Sequence, residues 1–181
     1  MDENTNKILD EAMAQIKLGN IQALGSIYDK LGNLIHSIAL SITHNLYDSQ
    51  DILQETLYEI VKSANQYKEN TNAKAWILKI VKNKSYDLMR KNKFKSYQDV
   101  GNIDEKLSNY MDYSMFETFD MLNSLSFEDR FIVVYKIYAD LSFQDIADTL
   151  NMSYAAVNKR YNKALAKLRT YEQRGESWKK I

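Results

Sequence analysis

Apolar residues recur at helical spacing, every three or four positions, along nearly the whole chain, and the segments between them are short. Ile8, Met13, Ile16 and Leu18 define a first helix that Gly19-Asn20 should stop. A second is predicted from Ile21 to Lys30 on Leu24, Ile27 and Tyr28. Leu31–His44 is a further amphipathic stretch on Leu34, Ile35, Ile38, Ala39 and Ile42. Asp48-Ser49-Gln50-Asp51 reads as a helix start, because Asp and Ser side chains accept bonds from unpaired amide groups. Ile52, Leu53, Leu57, Ile60 and Val61 continue that helix, and Ala73–Lys93 forms the next with Trp76, Ile77, Ile80, Val81 and Leu88 turned inward. Residues 96–118 lose the periodicity and read as a linker. It resumes at Phe119 and runs to Tyr171, leaving 174–181 as a frayed tail. The predicted fold is all-α, with two small helical domains, 1–95 and 119–173, joined by that linker.

The sharpest local pattern lies in the second half. Ser142 can cap a short helix whose inner face is Ile146, Ala147 and Leu150, and small Ala147 permits a tight helix crossing. Asn151 follows where the chain must turn, and Asn tolerates positive φ better than most residues. Met152 plugs the corner and Ser153 caps a second helix, in which Val157, Tyr161, Leu165 and Leu168 face inward. Asn158, Lys159, Arg160, Asn162 and Lys163 remain outside, the kind of hydrogen-bonding and cationic set that a major-groove helix presents. The spacing fits a DNA-binding helix-turn-helix; the plainer alternative is a helical hairpin with a solvated basic face.

Composition narrows the classes. The 181 residues contain no proline, no cysteine and only five glycines. That disfavours a turn-rich β fold and excludes disulfides and thiolate metal sites. No apolar run is long enough for a membrane span, and the polar start is not that of a signal peptide, so a cytoplasmic protein is expected. His36 and His44 are the only histidines. Eight residues apart on a helix, they would sit roughly 80° and about 12 Å from each other, too far to share one metal unaided. With no phosphate-binding glycine loop, nucleophile elbow or zinc motif either, we expect no enzyme, no metal, no cofactor and no small-molecule substrate.

The formal net charge of zero conceals an alternation. Residues 1–73 hold 5 basic and 10 acidic side chains, 74–95 hold 8 and 1, 96–150 hold 3 and 11, and 151–181 hold 8 and 2. Each basic block follows an acidic one, as two anion-binding surfaces on one chain would, although solvated helix faces give the same count.

Three segments, DSQDILQETLYEI from Asp48, AWILKIVKNKSYDLMRK from Ala75, and the long stretch from Leu122 to Arg169, together resemble a bacterial sigma factor of the extracytoplasmic-function group. The resemblance covers residues 23–169. It implies a transcription initiation factor that binds core RNA polymerase, at the clamp and flap of the large subunits, and promoter DNA, and that an anti-sigma protein restrains. Asp48, Asp51, Gln54 and Glu55 match the clamp-binding strip. Carboxylates at helix-face spacing suit an Arg- and Lys-rich partner, although Asp48 and Asp51 equally complement a helix dipole. For the proximal promoter element the resemblance implies Tyr67, the loop 68–72 as captor of a flipped non-template base, and Lys74, Lys79, Lys82, Asn83, Lys84, Asp87, Arg90 and Lys91. Trp76 also matches, but packing inward is the better reading of an indole at this spacing. Asp87 can instead pair with a neighbouring cation. For the distal element it implies Ser153, Tyr154, Ala156, Asn158, Lys159, Arg160 and Lys163.

The sequence departs from that family's pattern at several points. Ser126 replaces an expected proline, so the helix there should start on a hydroxyl cap; Asn151 replaces the turn glycine, Ala155-Ala156 a Gly-Thr pair, and Asn158 a lysine. The competing reading is a stand-alone helix-turn-helix regulator, which leaves the 48–60 strip and the 74–95 basic block without a shared purpose.

Overall fold

A computed structural model describes residues 3–95 and 121–178, with side chains from 4 to 91 and from 121 to 170. The chain divides into two compact units, Met1–Gly101 and Asn102–Ile181. The predicted linker, 96–118, lies outside the described residues.

In the first unit the described helices are α1 (Glu3–Lys17), α2 (Leu24–Thr43), α3 (Leu46–Ser63) and α4 (Ala73–Lys95), with single 3-10 turns at Ile21–Ala23 and Ala64–Gln66. Each of α1, α2 and α3 packs on α4, and α2 also packs on α1 and α3. Leu9 and Met13 of α1, Ile27, Leu31, Ile35 and Ile38 of α2, Ile52 and Ile60 of α3, and Ile77 and Val81 of α4 build a core closed to water. At about 25 cal/mol per Å² of apolar surface, this burial is what holds the helices together.

Two boundaries differ from the sequence reading. The stretches predicted as Ile21–Lys30 and Leu31–His44 merge, after the 3-10 turn at Ile21–Ala23, into one helix, α2. Gly25 and Gly32 lie within it, each at a propensity cost of about 1 kcal/mol relative to Ala. The continuous buried face through Ile27, Leu31, Ile35, Ile38 and Ile42 outweighs that cost. The helix predicted to begin at Asp48 begins at Leu46, because Asn45 is the N-cap, its side chain accepting the Asp48 amide at 3.0 Å. Asp48 is thereby a first-turn acid rather than the cap. As expected, α1 stops before Gly19, which adopts φ +89°.

The second unit comprises α5 (Phe127–Ile137), α6 (Phe143–Leu150) and α7 (Tyr154–Trp178), preceded by a helical stretch at 121–123. Its core gathers Phe131, Ile132 and Tyr135 of α5, Ile146 and Ala147 of α6, and Val157 and Ala164 of α7. The expected caps are present. Ser126 and Ser142 accept the Asp129 and Asp145 amides, at 3.2 and 3.0 Å, and Ser153 accepts the Ala156 amide at 3.2 Å. Asn151 closes α6 in the left-handed conformation, φ 54° and ψ 47°, and the Met152 amide donates back to the Ala147 carbonyl at 2.9 Å. The tail expected to fray from Arg174 instead stays helical to Trp178. Gly175 alone costs about 1 kcal/mol, and with no proline present a long cooperative helix propagates through it.

At Asn151 the backbone penalty sets an expected outcome. Asn151→Gly retains full stability, whereas Asn151→Val loses about 1–2 kcal/mol, the cost of a left-handed residue with a branched Cβ; urea denaturation of the two variants measures the difference.

Candidate nucleic-acid interface and acidic strip

The acidic strip lies on α3. Asp51, Gln54 and Glu55 are exposed and Asp48 is half-buried, while Ser49, Ile52, Thr56 and Ile60 form the buried side of the same helix. Across from the strip runs α4, and the groove between the two is lined by Asp51, Gln54, Glu55 and Tyr58 on one wall and Lys84, Asp87 and Lys91 on the other. Lys84 crosses it, with Nζ 2.9 Å from Glu59 Oε2 and 3.3 Å from Glu55 Oε2. Its hydrogen bond and charge hold the Glu59 carboxyl below its ordinary value. Burial pulls the Lys84 ammonium down, but the two glutamates more than offset that and raise it.

Four cations of α4, Lys79, Lys84, Arg90 and Lys91, fall in two stripes. At about 100° per residue, Lys79, Asn83, Tyr86 and Arg90 fall within roughly 60° of one another, and Lys84, Asp87 and Lys91 lie about 100° round the helix. The second stripe faces the acidic strip, and Lys84, expected from the sequence to contact nucleic acid, is paired there with Glu55 and Glu59. Asp87 pairs with Arg90 at 2.7 Å, the structural alternative raised for it. Lys82 lies over the Tyr86 ring at 5.7 Å, and burial, then the neighbouring Lys79, lowers its pKa. Lys74 is half-buried at the start of α4.

Tyr67, expected at the proximal element, is only 2% exposed, its ring buried against protein. Its hydroxyl donates to Asp10 Oδ1 at 2.6 Å, and Trp76 packs edge-on against its ring, with centroids 5.5 Å apart. Burial, then the Asp10 bond, pushes the phenol up to about 12. Trp76 thus packs against protein, as preferred from its spacing. The residues after Tyr67, from Lys68 to Thr71, are exposed, and Asn72 caps α4 by accepting the Ala75 amide at 3.0 Å.

On α7, Ser153, Tyr154, Lys159 and Lys163 are exposed, and Ala156 and Asn158 are half-buried. The Asn158 side-chain oxygen accepts from the Asn162 amide at 2.6 Å. Arg160 turns away from that surface. Its Nε donates to Asp129 Oδ1 at 2.6 Å, and an Nη donates to Glu128 Oε2 at 2.8 Å and more weakly to Ser126 Oγ at 3.4 Å. The Asp129 bond, against burial and with Glu128, raises the guanidinium pKa. Arg160, expected from the sequence to contact DNA, here ties α7 to the N-terminus of α5. Among the described residues Lys79, Lys91, Lys159 and Lys163 form no ion pair.

The histidines have local structural positions. His36 Nε2 lies 3.1 Å from the Ser49 hydroxyl, joining α2 to α3, and His44 closes α2 in the left-handed region. Among the described residues no cluster of His, Asp and Glu could hold a metal ion, and no helix is long and apolar enough to cross a membrane.

Pattern reading missed the acids that engage these cations, Glu59, Glu128 and Asp129, and the buried Arg130, whose Nε donates to the Leu122 carbonyl at 3.1 Å. Intervals of 25 to 32 residues separate the paired charges, and no local rule reaches that far.

Two family models match the chain, Sigma-70 region 2 over residues 27–95 and Sigma-70 region 4 over residues 117–168. Relatives include the RNA polymerase sigma factor SigV of Bacillus subtilis, 25% identical over 74% of this chain and 81% of its own length. The ECF RNA polymerase sigma factor SigW of the same species is 22% identical over 90% and 95%. Among solved structures, CnrH in complex with the cytosolic domain of CnrY has a TM-score of 0.75 at 22% identity, covering 92% of this chain and 97% of that one. The sigma factor RpoE in complex with the anti-sigma factor NepR from Bartonella quintana has a TM-score of 0.68 at 18% identity, covering 81% and 96%. These likenesses confirm the fold.

The Glu59–Lys84 tie carries a pH signature. Glu59's folded pKa lies below its ordinary 4.5, so the stability it adds is present above that value and is lost as pH falls through the lower one. Urea midpoints followed from neutral to acid pH should fall less steeply in Glu59→Gln than in the unaltered chain.

Proposed function

Because the chain belongs to the sigma-70 family, in its extracytoplasmic-function group, it is an alternative sigma factor that binds core RNA polymerase, recognises and helps melt specific promoters and directs transcription initiation, and we propose how its residues divide that work. The observation that carries the division is the pairing of an exposed acidic strip with a two-striped basic helix in the first unit, followed by a capped helix-turn-helix in the second.

Asp48, Asp51, Gln54 and Glu55 are the contact for the polymerase clamp, with Asp51 at its centre, since Glu55 also holds Lys84. The outer stripe of α4, Lys79, Asn83 and Arg90, together with Lys74 and Lys82, tracks the proximal promoter element. Its lysines contribute phosphate contacts, which are salt-sensitive and carry no sequence information. Lys91 stands on the groove side, where polymerase and DNA meet. The loop 68–72 takes up an unstacked base of the opened strand. On α7, Ser153, Tyr154, Ala156, Asn158, Lys159 and Lys163 face the distal element. No reaction is assigned to this chain; bond formation belongs to polymerase. It acts where polymerase acts, in the cytoplasm, and an anti-sigma protein is the expected inhibitor. The complex of the sigma factor RpoE with the anti-sigma factor NepR, a structural relative, supports that last point.

Co-migration of the full chain with core polymerase on a sizing column, and initiation on a pool of native promoters, test the assignment. Asp51→Lys should weaken core binding by about tenfold or more, the range for a reversed charge at an electrostatic interface, without lowering the unfolding midpoint. Tight duplex binding by the chain alone, with no association with core from the same host, would favour a stand-alone regulator instead.

The distal surface makes a second test. Lys159→Ala and Lys163→Ala should each reduce the salt slope of promoter binding by about 1, as loss of one phosphate contact does. Arg160→Ala should leave the slope unchanged and lower stability by about 1 kcal/mol.

A further inference from the structure

α1 precedes the segment matched by the region 2 family model, yet its side chains hold the loop that follows Tyr67. Asp10 Oδ1 accepts two hydrogen bonds, from the Tyr67 hydroxyl at 2.6 Å and from the Asn70 amide at 3.0 Å. Asn6 donates its side-chain amide to the Thr71 carbonyl at 3.1 Å, and Lys17 pairs with Glu69 at 3.0 Å while lying over the Tyr67 ring. Asn70 adopts φ 58°, a left-handed conformation that the Asp10 bond to its amide helps to fix. Tyr67, Glu69, Asn70 and Thr71 are thus all fastened to one helix.

We propose that α1 is a positioning element for base capture, with Asp10 as its central positioning residue: the two bonds it accepts fix the 68–72 loop before DNA arrives and thereby set which unstacked base the loop prefers. The inference rests on the reading of this loop as the base-capture element. An ordered loop discriminates better than a free one, because a mismatched base cannot be accommodated by moving the walls. α1 stays docked without Asp10, since Leu9, Ala12, Met13 and Ile16 bury its other face.

The test uses holoenzyme assembled from the full chain and core polymerase, incubated with a fully randomised single-stranded DNA pool, the bound fraction being sequenced. In Asp10→Ala the ratio of most to least favoured base at the best-defined position should fall by ~10-fold, with core binding and total pool affinity within about twofold of the unaltered protein. Asp10→Asn keeps an acceptor oxygen and should restore the preference. Tyr67→Phe removes one of the two bonds but keeps the buried ring, and should give an intermediate loss even if Asp10→Ala folds poorly. Retention of the full preference in both Asp10→Ala and Tyr67→Phe, or an equal loss of affinity for every sequence, would overturn the inference and leave the clamp a stabilising contact. The loop reading is judged separately by Lys68→Ala combined with Asn70→Gly, which strips exposed side chains and tolerates the positive φ. A preference unchanged by that pair would overturn the loop reading and this inference together.

Discussion

A protein that must present cations to phosphate, but carries no net charge, has its own carboxylates as the first competitors for those cations. The geometry of both units follows from how that competition is resolved. Lys84 bridges Glu55 and Glu59 across the α3–α4 groove, and Arg160 bridges Glu128 and Asp129 from α7 to α5. In each case a cation on a predicted DNA-facing helix is turned inward to fix the angle of that helix against its neighbour. Lys79, Lys159 and Lys163, without such partners among the described residues, are the cations proposed for the phosphate backbone. The internal pairs are partly exposed and individually weak, so their value lies in orientation: the apolar core would hold the helices together without them, but with less definition of which stripe faces outward.

The same economy governs the turns. With no proline, the chain ends its helices with side chains and left-handed residues. Asn45, Asn72, Ser126, Ser142 and Ser153 each satisfy an amide at a helix start, and His44 and Asn151 leave α2 and α6 through positive φ. At Asn151 this produces the sharp corner that a helix-turn-helix needs without the glycine usual in the family. In the first unit Asn70 has a comparable conformation, but in an exposed loop, and there its amide donates to Asp10 on α1.

Tyr67 links these themes. An aromatic residue just ahead of a basic helix invites assignment to base stacking, yet burial makes it a post on which loop, α1 and α4 converge through Asp10, Lys17 and Trp76. Surface chemistry then falls to the smaller polar residues that follow it. The strip proposed for polymerase, the stripe proposed for DNA and the loop proposed for base capture are consequently all carried on the helices of the first unit.

By itself the sequence determined the helical class, most helix spans, the Ser and Asn caps of the helix-turn-helix and the family. Each depends on interactions within one turn or on apolar periodicity, and both are local. It put a break inside α2, which is continuous, and misplaced the start of α3, since a glycine's propensity cost is small beside a continuous buried face and Asn45 lay just upstream of stronger-looking caps. Tertiary structure alone decided which exposed-looking residues are available for binding. Asp10 and Tyr67 are 57 residues apart, and Arg160 and Asp129 are 31. Whether a cation or a phenol meets solvent or an acid is settled only when packing brings such distant groups within a hydrogen bond of each other.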